Sequence, residues 1–292
     1  MVAVIDSPDF MFIDIDLSKV GKIKKLIYFL KGIFVGFIFS RTNKKLFCFI
    51  INLLFPQEDK ITYSNNFYSK NIDGLKINYP NKRIVRVVKN YKIFLDNLFE
   101  SYCLNSINFK KGDVIVDCGS NIGEIYYSLI QKKLELAYYA FEPDPSAYKC
   151  LVNNLNNQKN VNLHPIALSN SESESELYID GFGGNSSLEY FGSKQKVTTL
   201  TKKLDSFNLK KIKLFKVEAE GHEEEVLKGS IQTFPYIEYI TVDYGPEKGE
   251  SQESTMTSVI NYLSDNGFEL IQTSKYRQIG LFKNKKLIDN SQ

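Results

Sequence analysis

The stretch Val114-Ile-Val-Asp-Cys-Gly-Ser-Asn-Ile-Gly-Glu124 decides the fold of this chain. A short apolar run ends at Asp117, and Gly119 and Gly123 then bracket a turn that precedes a helical pattern. A strand, a glycine-containing loop and a helix in this order bring the backbone close to a ligand. Glu142 follows at the end of the next apolar run, within Phe141-Glu-Pro-Asp-Pro145. Together these residues predict a nucleoside held at the carboxyl edge of a parallel sheet.

An alternation of strand and helix patterns continues from this stretch to the end of the chain. The predicted parallel strands cover residues 114–118, 137–141, 161–166, 212–217 and 237–243, and the predicted helices cover 123–134, 146–157, 223–228 and 255–266. Residues 177–180 and 196–200 predict an antiparallel insertion, and residues 268–273 and 278–282 predict the last two strands. This pattern is typical of an α/β fold with helices on both faces of a mostly parallel sheet.

Residues 1–112 are predicted to form a separate, basic and mainly helical N-terminal extension. Residues 19–55 predict two helices, with Ser18 as a candidate N-cap and Pro56 as the stop. Further along, residues 61–80 predict a hairpin, 84–88 a strand and 91–106 a helix. The extension carries 18 Lys and Arg against 9 Asp and Glu, whereas residues 113–292 carry 19 against 25. We expect the extension to make substrate, membrane-surface or oligomer contacts.

The basic charge is concentrated between residues 17 and 57, where eight basic residues occur without an acidic one. This favours an anionic partner, such as a membrane surface, an acidic glycan or nucleic acid, although a solvated basic face explains it equally well. No nucleic acid is expected, because no known reader motif accompanies the basic residues. The apolar run Leu26–Phe39 has 14 residues and contains Lys31, whereas a membrane span needs roughly 20. Two short helices, buried or lying in a membrane interface, fit better.

The cysteines and the N-terminus indicate the compartment. The four cysteines form no C-x-x-C pair, and the first residues lack the basic n-region of a signal peptide. We therefore expect a reduced, cytoplasmic protein, with peripheral membrane contact through residues 17–57. Only two histidines are present, which argues against a zinc site built on His and Cys, and no metal is expected.

A second dense site lies in Lys216-Val-Glu-Ala-Glu-Gly-His-Glu-Glu-Glu225. Glu218 and Glu220 follow an apolar strand, and carboxylates at such strand ends face the ligand crevice. They are suited to holding a cationic cofactor group or to acting on a substrate hydroxyl. His222 is a candidate base at neutral pH, or else a surface histidine at the start of a helix. Asp243 ends the next strand at the same edge, whereas His164 in the third strand is interpreted as structural.

These segments together resemble the FkbM family of S-adenosylmethionine-dependent methyltransferases. The matching segments, in the family's order, are Asp117–Gly123, Phe141–Pro145, Ala167–Ser169, Asn185–Leu188 and Lys216–Gly229. The resemblance implies the class I methyltransferase fold, with a Rossmann-like, seven-stranded, mostly parallel sheet and helices on both faces. It also implies S-adenosylmethionine as the cofactor.

The resemblance assigns roles to individual residues as well. The loop with Asp117, Gly119, Asn121 and Gly123 would cradle the methionine part of the cofactor. Glu142 would bind the ribose and Ala167 would lie by the adenine. Apart from the resemblance, the strand-end position of Glu218 predicts that it contacts the cofactor and orients the bound groups. At the acceptor edge this chain departs from the family, which usually has Asp in place of Glu218 and a small residue in place of His222.

The expected reaction is O-methylation, with Glu220, His222 or Asp243 as the base. The resemblance favours a sugar hydroxyl of a glycan, a glycolipid or a glycosylated natural product, as in glycan or polysaccharide biosynthesis; another small-molecule acceptor and a homo-oligomer remain open. A nicotinamide-dependent oxidoreductase is the first alternative, and the incomplete glycine pattern disfavours it. The second is a non-enzymatic membrane-surface binding module that uses residues 17–57.

Overall fold

The computed structural model describes residues 21–88, 91–181, 184–275 and 277–287. Its first elements are two helices, α1 (Lys22–Arg41) and α2 (Lys44–Leu54). Asn43 separates them because its side chain accepts a hydrogen bond from the Leu46 amide at 2.9 Å and caps α2. The prediction of two helices that end before Pro56 is confirmed, whereas Ser18 lies outside the described residues. No helix in the described ranges is long and apolar enough to cross a membrane.

A small antiparallel sheet follows, formed by β1 (Thr62–Ser64), β2 (Phe67–Ile72) and β3 (Leu75–Tyr79). It extends the predicted hairpin by one strand. The strand predicted at residues 84–88 is wrong, because residues 82–87 form a 3-10 helix capped by Asn81, whose side chain accepts from the Arg83 amide at 3.0 Å. The helix predicted at 91–106 is shorter, α3 (Tyr91–Ser101), and a left-handed Cys103 with φ of 60° separates it from a 3-10 turn.

The strands and helices of the second unit alternate along the chain. They are β4 (Val114–Cys118), α4 (Glu124–Gln131), β5 (Ala137–Phe141), α5 (Pro145–Leu155), β6 (Val161–His164), β7 (Ala167–Leu168), β8 (Ser173–Tyr178), β9 (Lys196–Lys202), β10 (Ile212–Val217), α6 (Glu223–Lys228), β11 (Ile237–Asp243), β12 (Pro246–Lys248), β13 (Glu253–Ser254), α7 (Met256–Asp265), β14 (Phe268–Thr273) and β15 (Ile279–Asn284). The predicted antiparallel insertion is confirmed as the pair β8 and β9, with β7 parallel to β9.

Seven of these strands form one sheet in the order β14-β15-β11-β10-β4-β5-β6. The pairs from β11 to β6 are parallel, whereas β15 is antiparallel to both β11 and β14. The predicted seven-stranded, mostly parallel sheet of the class I methyltransferase type is therefore confirmed. The strands β4, β5 and β6 follow one another towards one edge of the sheet, and the chain then returns to place β10 on the other side of β4. The strand order therefore reverses between the neighbouring strands β4 and β10. Ligands of such sheets bind beyond the carboxyl ends of the strands at this switch point.

The extension and the sheet unit share one apolar core. Buried side chains of α1, α3, α4 and β5 belong to the same cluster, including Val35, Phe94, Tyr127 and Tyr138. The extension therefore packs against one face of the sheet, and its residues reach the edge where the strands end. All four cysteines are buried and free.

Candidate active site

A cavity of about 770 Å³ opens at the carboxyl ends of β4, β5 and β10. Both units line it, and so does the insertion loop between β8 and β9. The sequence-predicted residues that line it are Gly119, Asn121, Glu142, Ala167, Glu218, Glu220, His222 and Asp243. The fold thus brings together residues that are separated by more than a hundred positions in the chain.

The loop after β4 is held close to the end of β10. Gly119 has a φ of 74°, and a Cβ there would lie 2.0 Å from the Glu218 carbonyl oxygen, so only glycine fits. The Lys216 ammonium donates to the carbonyl oxygens of Cys118 at 3.1 Å and Gly119 at 2.8 Å. Asn121 adopts a left-handed φ of 49°. These contacts fix the loop so that its backbone faces the cavity.

Asp117 and Gly123 were predicted to cradle the cofactor, but neither lines the cavity, and their contact with a ligand stays a prediction. Asp117 is fully buried, accepts a hydrogen bond from the Tyr138 hydroxyl and lies 3.0 Å from the Lys216 ammonium. Gly123 faces α5, since a Cβ there would lie 2.8 Å from the Leu155 side chain. Both residues therefore stabilise the loop on the side that faces away from the cavity, where β4 and α5 pack against it.

Glu142 lines the cavity at the end of β5. Its carboxylate accepts the backbone N–H of Asn121 at 2.7 Å and that of Asp144 at 2.8 Å, one on each oxygen. Burial raises the pKa of Glu142 to about 8, although the two N–H groups favour its charged form. Asp144 caps α5 and also accepts from the Ser186 hydroxyl at 2.7 Å. The insertion loop is thereby tied to the end of β5.

The wall beyond Glu142 is apolar. It consists of the side chains of Phe141, Ala147, Ile166, Ala167 and Leu168. His164 stacks on the far side of Phe141 at 4.8 Å between ring centroids, and burial lowers its pKa. His164 does not line the cavity.

An ion-pair network occupies the opposite end of the cavity. Glu218 lies 3.0 Å from Lys216 and 2.6 Å from Arg277, and the Tyr102 hydroxyl donates to it. Arg277 also pairs with Asp243. Burial would raise the pKa of Glu218, but the two cations outweigh it and hold that pKa below its ordinary value. Glu218 and Asp243 are thus anchored by cations, which makes Asp243 a weaker candidate for the base.

Glu220 differs from these anchored carboxylates. It has a φ of 52°, a strained conformation for a residue with a side chain, and its Oε2 is buried without a hydrogen-bond partner among the described residues. Burial, with Glu247 and Glu218 nearby, raises the pKa of Glu220 well above its ordinary value. Burial and neighbouring acids likewise raise the pKa of Glu247 to about 8. A desolvated carboxyl of this kind is suited to proton transfer.

His222 uses both ring nitrogens in hydrogen bonds. Its Nε2 lies 2.9 Å from the Ser169 hydroxyl, and its Nδ1 lies 2.9 Å from Glu189. A base must offer a free nitrogen to the acceptor, so Glu220 is better placed than His222. Glu189, His222 and Glu225 also bring potential metal-ligand atoms within 4.8 Å of one another among the described residues.

The cavity residues that sequence reasoning missed include Arg83, Tyr102, Lys216 and Arg277. The sequence did contain a signal for Lys216, because a lysine near the end of a buried apolar strand needs an acidic partner and therefore predicts a buried ion pair. Arg83 and Tyr102 belong to the extension and Arg277 to the loop before β15, and nothing in their local sequence indicates that they meet here. Arg83 reaches the insertion loop, where it donates to Asn185 at 2.6 Å.

Comparison with known proteins adds a family to this geometry. The family model described as the Methyltransferase FkbM domain matches residues 117–270. Among curated proteins, Methyltransferase 1 of Beauveria bassiana is 26% identical over 54% of this chain and 73% of its own length. Methyltransferase sdnD of Sordaria araneosa is 29% identical over 45% of this chain and 66% of its own length.

Two solved structures are similar to this chain at a low level. The methyltransferase FkbM from Methylobacillus flagellatus has a TM-score of 0.45 and 15% identity, and the match covers 67% of this chain and 55% of that one. A SAM-dependent methyltransferase from Aquifex aeolicus has a TM-score of 0.39 and 15% identity, with 66% and 97% covered. Similarities this low identify neither a ligand nor a reaction for this chain.

Proposed function

The chain belongs to the FkbM methyltransferase family, and on that premise we propose that it transfers a methyl group from S-adenosylmethionine to a hydroxyl of its acceptor. One observation carries the proposal. One half of the cavity, formed by the Gly119 loop, Glu142 and Ala167, is suited to bind a nucleoside, and the other half contains the desolvated carboxyl of Glu220. The match to a methyltransferase family also weighs against the nicotinamide-dependent oxidoreductase.

The residues of the first half fit S-adenosylmethionine. Each Glu142 oxygen holds one backbone N–H and keeps a lone pair for a ribose hydroxyl. The apolar wall around Ala167 suits an adenine ring. The Ser120 hydroxyl is buried without a hydrogen-bond partner among the described residues. This hydroxyl and the backbone of its loop are suited to bind the methionine part of S-adenosylmethionine. The acidic groups at the other end suit the positive charge on sulfur.

When bound, S-adenosylmethionine supplies an activated methyl group on a cationic sulfur. The chain's own residues then have two tasks, which are to align the acceptor hydroxyl and to remove its proton. We assign the proton to Glu220, because burial makes its carboxylate a stronger base. Glu218, Asp243 and Arg277 hold one another in place and offer hydrogen bonds that orient the acceptor.

The acceptor in this proposal is a sugar hydroxyl of a glycan, glycolipid or glycosylated natural product. This choice of acceptor is supported by the family resemblance and by the mixture of acidic and basic side chains that line the half of the cavity around Glu220. Carboxylates there accept from hydroxyl groups, whereas Arg83, Lys275 and Arg277 donate to ring and hydroxyl oxygens. Polyhydroxylated molecules need donors and acceptors in such a mixture.

Glu220→Gln tests the assignment of the base. With labelled S-adenosylmethionine and glycan fractions from the native host as acceptors, we expect this variant to lose about 10²–10⁴ of the transfer rate while keeping its affinity for the cofactor. Glu224→Gln is the matched control, because Glu224 lies on α6 and pairs with Lys228 at 2.7 Å. A Glu220→Gln enzyme as fast as the control would remove Glu220 from the mechanism, and transfer only to nitrogen or sulfur acceptors would overturn O-methylation.

A further inference from the structure

The two N-terminal helices expose large apolar side chains in a regular pattern. Eight of them form one stripe on each helix, with Ile23, Ile27, Leu30, Phe34 and Phe37 on α1 and Leu46, Phe49 and Leu53 on α2; Leu26, Phe29, Ile33 and Leu54 are exposed beside these stripes. The exposed fractions are as high as 78% for Ile23, 66% for Leu53 and 64% for Phe49. Intervals of three and four residues put each set on one helix face. We call these eight residues the docking surface.

Helix α1 is apolar on two sides. Val35 and Ile38 on one side are buried in the shared core, together with Gly32, while the docking surface looks outward. A helix that is apolar all round is normally covered on all sides, whereas the described residues leave this stripe of α1 uncovered. Apolar patches of this kind on a folded protein mark an interaction site.

The charge around the docking surface indicates which kind of partner binds there. Residues 21–57 contain seven Lys and Arg and no Asp or Glu. Lys22, Lys24 and Lys25 lie at the start of α1, and Lys44 and Lys45 begin α2. Basic side chains that flank an apolar stripe suit an anionic lipid surface, since their stems extend along the apolar layer while their charges reach the headgroups. A second copy of the chain would bring like charges together.

We propose that α1 and α2 attach the protein to the surface of an anionic membrane. The helices lie in the headgroup region with the docking surface against the acyl chains. The attachment is independent of the methyl-transfer reaction and of the identity of its acceptor.

Co-sedimentation of the full chain with vesicles tests the proposal. Vesicles of phosphatidylcholine with about 30% phosphatidylserine should bind the protein far better than pure phosphatidylcholine vesicles do. Phe34→Ser, Phe37→Ser and Phe49→Ser should each weaken binding by about tenfold. Lys24→Gln and Lys25→Gln should each weaken binding to the anionic vesicles by about fivefold.

The matched control replaces exposed apolar residues elsewhere, with Leu200→Ser, Ile231→Ser and Ile271→Ser, whose exposed fractions are 49%, 41% and 43%. This triple variant should bind vesicles like the wild type, and equal losses in both sets of variants would overturn the proposal. So would a wild-type chain that does not sediment with anionic vesicles. In that case, a dimer in sedimentation velocity that the Phe substitutions dissociate would assign the docking surface to a second copy.

Discussion

Replacing Lys216 with Met should destabilise the fold by about 3–5 kcal/mol, because it leaves a buried carboxylate without its cation. The Lys216 side chain is 2% exposed and Asp117 is 0% exposed, with 3.0 Å between their charged atoms. Asp117 and Glu218 raise the pKa of Lys216 well above its ordinary value, although burial alone would lower it. The lysine is therefore charged in the folded protein.

The magnitude follows from what the substitution leaves behind. Burial raises the pKa of Asp117, and Lys216 is the main opposing influence, so the variant must either bury an unpaired charge or protonate Asp117. The carbonyl oxygens of Cys118 and Gly119 also lose their donor. Since small domains are stable by about 5–15 kcal/mol, the loss should be a large fraction of the total.

The same strand provides the control. Lys213 lies three residues earlier on β10 and pairs with Glu238 at 2.8 Å, but the two side chains are 11% and 35% exposed. Water can replace the lost partner there, so Lys213→Met should cost about 1 kcal/mol or less. Both variants exchange a paired lysine for a methionine and differ mainly in burial.

Urea denaturation followed by circular dichroism measures both losses. We expect a much lower midpoint for Lys216→Met with an unchanged slope, and recovery of part of the loss when Asp117→Asn is added. Equal destabilisation by Lys216→Met and Lys213→Met would show that the Lys216–Asp117 pair does not hold the loop.

Two further predictions concern the loop and the acidic cluster. Gly119→Ala should weaken cofactor binding at least tenfold, because the new Cβ would lie 2.0 Å from the Glu218 carbonyl oxygen. Gly36→Ala is the control and should leave binding unchanged, because a Cβ at Gly36 has no atom within 4 Å. Calorimetric titration measures the cofactor affinity of both variants. Glu247→Gln should flatten the pH dependence of the melting temperature between pH 5 and about 8. The raised pKa of Glu247, about 8 against an ordinary 4.5, means that its contribution to stability is fully present below about pH 4.5 and is lost as pH rises towards 8. An unchanged slope in the variant would contradict this.

The central strands of the sheet were predictable because they are buried on both faces. The sequence of such a strand is a continuous apolar run, and the bounds of β4, β5, β10 and β11 agree with those expected. The bounds of the edge strand β14 also agree, although alternate residues of this strand are exposed. The segment at residues 84–88 has an equally apolar pattern, but the Asn81 cap and the core below it favour a 3-10 helix. Local pattern alone does not distinguish these two outcomes.

The site was predictable only as far as the sheet topology determines it. Strand ends converge at one edge, so Glu142, Glu218 and Asp243 were expected at the same edge, and all three line the cavity there. Tyr102 and Arg277 reach the same place through tertiary packing of distant segments, which no local motif encodes. Asp117 followed the motif but turns inward, because Lys216 satisfies its charge below the loop.

Calorimetric titration of the wild type and of Glu142→Gln with S-adenosylmethionine tests the proposed cofactor site most directly. We expect the wild type to bind and the variant to bind at least tenfold more weakly, because the carboxylate that would accept the ribose hydroxyls is gone. Glu176→Gln is the control, since Glu176 is exposed on β8 and pairs with Lys196. Equal affinity in the wild type and Glu142→Gln, or binding of a nicotinamide cofactor in place of S-adenosylmethionine, would contradict the assignment.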